Sequence, residues 1–236
     1  MNPVPEARER LVFALDVPTI AEAEALVAHL GNVVVFYKLG LELFTAGDAA
    51  GLVYRLKAAG KRVFVDLKLF DVPATVARAV ARLAALEVDF LTVHGNQAMM
   101  EAAAGAKGAS RVLAVTALTS LDEGDLADLG FRCELEALVA SRARRALEAG
   151  LDGVVASGRE AKMLRSQLGP RLLVVTPGIR PLANREEDDQ KRVMSPAAAI
   201  RAGADYLVVG RPIRDADDPR AAAERIVGEI AAALAP

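Results

Sequence analysis

Eight short runs rich in β-branched and other apolar residues recur along the 236-residue chain, separated by amphipathic stretches. The runs are LVFALD (11–16), VVVFYKLG (33–40), RVFVDLKL (62–69), FLTVH (90–94), RVLAVTAL (111–118), DGVVAS (152–157), LLVVTPG (172–178) and DYLVVG (205–210). Near-continuous apolar runs of this length suit parallel strands covered on both faces. The intervening helical readings are 21–30, 45–59, 73–86, 97–107, 132–149, 159–168, 195–202 and 218–234. Thr19 is placed to cap the first of these, with Glu22 three residues on. Pro73 opens the third, at a position where a missing N–H costs nothing. Eight βα pairs in order, with no linker or composition break, predict a (β/α)8 TIM barrel, an α/β fold with a single domain over 1–236. An open doubly wound sheet is the alternative, because alternation alone does not close a barrel.

Composition narrows what such a barrel can bind. A hydrophobic fraction of 53% supports a sizeable core, and a net charge of −2, mixed along the chain, leaves no basic stripe for nucleic acid. An anionic ligand must therefore be held by local groups. The lone cysteine, Cys133, cannot form an intramolecular disulfide, which suits a reducing compartment. Residues 1–10 do not read as a signal peptide, and no apolar run approaches the ~18 residues of a membrane span. A soluble, cytoplasmic protein without nucleic-acid or membrane partners is the expectation. Two histidines, His29 and His94, without a Cys/His cluster argue against a metal site, and no GxGxxG follows the first strand to hold a dinucleotide.

In barrels the chemistry sits at the C-terminal ends of the strands, so the polar residues there carry the argument. Asp16 ends the first run, Lys38 nearly ends the second, and Asp66 and Lys68 end the third, with Asp71 just beyond. Thr119 and Ser120 follow the fifth run, Arg180 the seventh, and Gly210 and Arg211 the eighth. Asp66 and Lys68 are two apart, which strand alternation points to one face. With Asp16 and Lys38 they make an array of carboxylates and ammoniums. Charges are costly in an apolar sheet unless paired. Each alone reads equally well as part of a rim salt-bridge network; four together at the catalytic end favour a site. GRPI (210–213) offers backbone N–H groups and a guanidinium for a phosphate. The charged, Gly/Pro-punctuated stretch 178–194 reads as a lid or binding loop.

Taken in order, ALD (14–16), KLG (38–40), DLKLFDVP (66–73), LTS (118–120), TPGIRP (176–181), DQKR (189–192) and VVGRPI (208–213) resemble the orotidine 5′-monophosphate decarboxylases of bacteria. DLKLFDVP is the most specific, since Asp-x-Lys-x-x-Asp defines the wider decarboxylase group; Phe70 stands where a His is usual. The resemblance implies cofactor-free conversion of orotidine 5′-monophosphate to UMP. It implies a catalytic tetrad of Lys38, Asp66, Lys68 and Asp71, and a homodimer in which Asp71 and Thr75 serve the neighbouring site. It also implies that Asp16 and Lys38 contact the ribose and Thr119 the pyrimidine. Arg180, Gln190, Gly210 and Arg211 would hold the base and phosphate. Two other readings compete: a Mg2+-dependent sugar-phosphate barrel such as a 3-hexulose-6-phosphate synthase, and a non-catalytic nucleotide-phosphate binding barrel.

Overall fold

The computed structural model describes residues 6–181 and 193–235. Eight parallel strands close into a barrel in sequence order: β1 Leu11–Ala14, β2 Phe36–Leu39, β3 Arg62–Leu69, β4 Phe90–His94, β5 Arg111–Val115, β6 Gly153–Val155, β7 Leu173–Thr176 and β8 Tyr206–Val209. The seam is made by β1 against β8, with Leu11 opposite Leu207 and Phe13 opposite Val209. The open sheet is thereby excluded. Helices outside the barrel bury their apolar faces against the outward-pointing residues of the strands, in one large core that includes Phe13, Leu39, Val65, Leu91 and Val154.

A second, smaller core fills the barrel itself. Val12, Ala14, Phe36, Phe64, Phe90, Leu113, Val175, Tyr206 and Val208 form it. Phe36, Phe90 and Tyr206 meet edge to face at centroid separations of 5.0 to 5.9 Å. Burying each such ring stabilises the fold by about 1.5–3 kcal/mol. The guanidinium of Arg62 lies 4.1 Å from the centroid of Phe36, and its Nε donates to Asp89 at 3.4 Å. This plug closes the N-terminal end, leaving the C-terminal mouth for chemistry.

Local signals act largely as the sequence predicts. Thr19 caps the helix Ile20–Leu30 by accepting from the Glu22 N–H, and Pro73 starts the helix Pro73–Ala84. The stretch 45–59 is a correction. Its helix starts later, at Ala49–Ala58, and a separate short helix, Leu41–Thr45, precedes it, because Gly47 takes φ +134° and Asp48 caps the later helix by accepting from Gly51 N–H. From GRPI onward, Arg211–Arg214 form a short helix. Most of the stretch 178–194 lies outside the described residues, Gln190 included. Its ends are joined by a bridge in which Arg180 N–H donates to Met194 O at 2.9 Å and Met194 N–H to Gly178 O at 3.2 Å. Among the described residues no helix is long and apolar enough to cross a membrane.

Candidate active site

The inward register of the strands explains how charges reach the mouth. Ala14, Phe36 and Phe64 point into the barrel, and two residues later come Asp16, just past β1, Lys38 on β2 and Asp66 on β3. Asp16, Lys38 and Asp66 line a cavity of about 410 Å³ at the C-terminal end, together with Lys68, Thr119, Ser120, Arg180, Gly210, Arg211 and Arg214. That volume suits a mononucleotide-sized ligand.

An alternating chain of charges forms the cavity floor. Lys38 Nζ donates to Asp16 Oδ1 at 3.1 Å and lies 3.7 Å from Asp66 Oδ2, while Lys68 Nζ donates to that same Oδ2 at 3.0 Å. The Lys38 and Asp66 side chains are only 10% and 12% exposed, so each depends on the other for compensation. Burial pushes the Asp66 carboxyl upward, but the two ammoniums and the donors from Lys68 and Thr92 outweigh it and hold the group below its ordinary value. Asp66 is therefore an anion at neutral pH. Room for the Lys38–Asp16 pair comes from Gly40: a Cβ there would stand 3.1 Å from Lys38 Nζ and 3.2 Å from Asp16 Oδ1.

Lys68 arrives by a route that simple alternation does not describe. Val65 pairs with Leu91 and Leu69 with Val93, so Asp66, Leu67 and Lys68 stand opposite the single residue Thr92. Lys68 takes φ +50°, a left-handed conformation that costs a non-glycine residue about 1–2 kcal/mol. Bulges of this kind re-aim side chains beside active sites. Asp66 and Lys68 do share a face, but the bulge and the inverted backbone bring them together. The Lys68 N–H is satisfied by Thr92 Oγ1 at 2.9 Å.

Three guanidinium groups also line the cavity. Arg180, Arg211 and Arg214 line it, with Gly210 bare between Asp16 and the short helix. A Cβ at Gly210 would meet Asp16 Oδ2 and Ala14 Cβ only at 3.5 Å, an ordinary contact. The space it leaves belongs to the cavity. Arg214, which the sequence reading did not single out, donates to the Asp16 backbone carbonyl at 2.7 Å and pairs with Asp215. It ties the mouth of β1 to the segment after β8.

Asp71 and Thr75 are not brought into this cavity. Asp71 is exposed and accepts from the Val72 N–H at 2.6 Å; Thr75 accepts from Arg78 at 3.2 Å. Around Asp71, Phe70 is 69% and Val72 62% exposed. His94 also stays outside the cavity lining. Its ring meets Phe70 edge to face at 5.1 Å, and burial, Arg142 and Lys68 lower its pKa, so it is neutral at pH 7. Among the described residues no group of three or more His, Cys, Asp or Glu is placed to hold a metal.

A closed (β/α)8 barrel with paired lysines and carboxylates at its C-terminal mouth, in a nucleotide-sized cavity also lined by guanidinium groups, defines a TIM-barrel enzyme for an anionic substrate. Residues 9–226 match the family described as Orotidine 5'-phosphate decarboxylase / HUMPS, and the chain belongs to that family. It is 61% identical over 229 residues to an Orotidine 5'-phosphate decarboxylase from Methylococcus capsulatus, covering 97% of this chain and 94% of that one. A relative of the same name from Rhodopseudomonas palustris is 54% identical, with 99% of each chain covered. Among solved structures, the orotidine 5'-phosphate decarboxylase of Lactobacillus acidophilus superimposes with a TM-score of 0.82 at 34% identity, over 93% of this chain and 98% of the other. That of Pyrococcus horikoshii gives 0.74 at 25% identity, with the same coverage.

Proposed function

We propose that this protein converts orotidine 5′-monophosphate to UMP and CO2 without a cofactor, the last step of UMP synthesis, with Lys68 stabilising and then protonating C6 of the pyrimidine. The observation that carries the reading is the Lys38–Asp66–Lys68 array in a cavity that guanidinium groups also line. The family description covers two activities, and the relatives at 54–61% identity carry the decarboxylase name.

Breaking the bond from C6 to the carboxylate carbon leaves the electron pair on C6, in an orbital that the ring delocalises poorly. The acceleration required lies high in the range of ~8–23 kcal/mol that enzymes supply. An ammonium fixed in place before the reaction stabilises that charge without reorganisation. Lys68 Nζ then gives its proton to C6, and the resulting amine recovers a proton from water. Asp66 holds both ammoniums in place. In this reading Asp16 and Lys38 hold the ribose hydroxyls and Thr119 meets the pyrimidine. Arg180, Gln190, Gly210 and Arg211 hold base and phosphate, Gln190 on the sequence resemblance alone.

The active unit is a homodimer in this proposal, with Asp71 and Thr75 entering the partner's site. Two features support it: neither residue lines its own chain's cavity, and Asp71 sits between the exposed apolar side chains of Phe70 and Val72. Asp71 beside the departing carboxylate adds ground-state repulsion. The single exposed Cys133 supports a reducing, cytoplasmic location.

The test is loss of orotate absorbance from orotidine 5′-monophosphate, with and without EDTA. The expected result is turnover that EDTA does not alter. No turnover, or turnover that EDTA abolishes, would overturn the proposal in favour of a binding barrel or a Mg2+-dependent sugar-phosphate enzyme.

A further inference from the structure

Thr92, in the middle of β4, is buried to 1% exposure and is absent from the cavity lining, yet it touches both members of the Asp66–Lys68 pair. Its Oγ1 accepts from the Lys68 backbone N–H at 2.9 Å and donates to Asp66 Oδ1 at 2.9 Å. We infer that Thr92 is a positioning residue, whose hydroxyl locks the bulged backbone of Lys68 and the carboxylate of Asp66 into one unit, so that the proton donor is aimed before substrate arrives.

A hydroxyl has a single proton, and a backbone N–H can only donate. With the Lys68 N–H pointing at Oγ1, the Thr92 proton goes to Asp66 Oδ1. Among the described residues the other oxygen, Oδ2, faces only ammoniums, those of Lys68 on its own strand and Lys38 on β2. Every neighbour of the carboxylate is then a donor, which leaves no acceptor for a proton on Asp66. The groups further out, Asp16 on Lys38 and the neutral His94 near Lys68, do not change this count. The same hydroxyl satisfies the N–H that the left-handed Lys68 turns away from the regular β3–β4 ladder.

This inference rests on Lys68 being the proton donor, and wild-type turnover with a silent Lys68→Ala checks that reading separately. In a protein that does turn over orotidine 5′-monophosphate, Thr92→Val keeps the shape and removes the hydroxyl. The expected result is a kcat lower by on the order of 10- to 100-fold, the scale set by small misplacements of a reacting group. KM should stay within about twofold, since Thr92 makes no ligand-facing surface. The acid limb of the kcat profile should move to higher pH, because the carboxylate has lost a donor to its charged form. Thr92→Ser should restore kcat and limb together. If Thr92→Val fails to fold, Thr92→Cys takes its place, and its weak donor should give an intermediate kcat. A valine variant with unchanged kcat and acid limb overturns the inference. So does a serine variant as impaired as valine, or a cysteine variant equal to wild type.

Discussion

Replacing Asp66 by Asn tests the energetics of the site without changing its shape. Asp66 is buried, and its three hydrogen-bonding or ionic contacts among the described residues, with Lys38, Lys68 and Thr92, are all with donors or cations. The amide would turn an NH2 toward one of these and leave Lys38, itself 10% exposed, beside Lys68 with no anion between them. Removing one partner of a buried pair costs about 3–5 kcal/mol, which for a chain of this size is a fall of roughly 6–20 °C in Tm. The pH dependence has a definite sign. The Asp66 carboxyl lies below its ordinary value in the folded protein, so its stabilisation is complete above the unfolded value of about 3.9 and is lost as pH falls through the folded one. Thermal melts of wild type and Asp66→Asn should therefore differ fully at pH 7, and the gap should narrow below about pH 4. A variant as stable as wild type at pH 7, or a gap that does not change with pH, would refute the reasoning.

The inverted backbone at Lys68 predicts a ranking of inactive variants. Lys68→Gly should be more stable than Lys68→Ala by about 1 kcal/mol in urea melts, because only glycine takes φ +50° without cost. Gly153→Ala should cost about 1–3 kcal/mol by overpacking, since its Cβ would fall 2.7 Å from Leu173 O and 2.8 Å from Leu113 Cδ2; denaturation midpoints report it. Mixing Asp71→Ala with Lys68→Ala chains should recover partial activity, as one of the two sites in each heterodimer would then be intact. Absence of recovery after confirmed subunit exchange would place Asp71 within its own chain's chemistry.

The barrel was legible because parallel strands covered on both faces leave long apolar runs, and the site because the inward register carries polar residues just beyond them. Val12 and Ala14 on β1 and Asp16 just beyond it follow one another at spacing two, as do Arg62, Phe64 and Asp66 on β3. Spacing fails at Lys68, where the bulge opposite Thr92 breaks the period; nothing local in DLKLFDVP signals an inverted φ. Thr92 itself reads as one hydroxyl in an apolar run, and its role exists only once β3 and β4 lie side by side. Arg214 was hidden for the same reason, since its partner Asp16 is 198 positions away in the chain. Gly40 was visible only as part of KLG, although the room it leaves is what lets Lys38 meet Asp16. The break at Gly47–Asp48 was readable, because a glycine followed by an aspartate is a stop and a cap in succession.

Release of labelled CO2 from carboxyl-labelled orotidine 5′-monophosphate, with UMP formed in equal amount, measures the proposed reaction directly. The account predicts stoichiometric CO2 and UMP from the wild-type protein in the presence of EDTA, and none above background from Lys68→Ala. Intact substrate after incubation with the wild type, or undiminished release by Lys68→Ala, would contradict it.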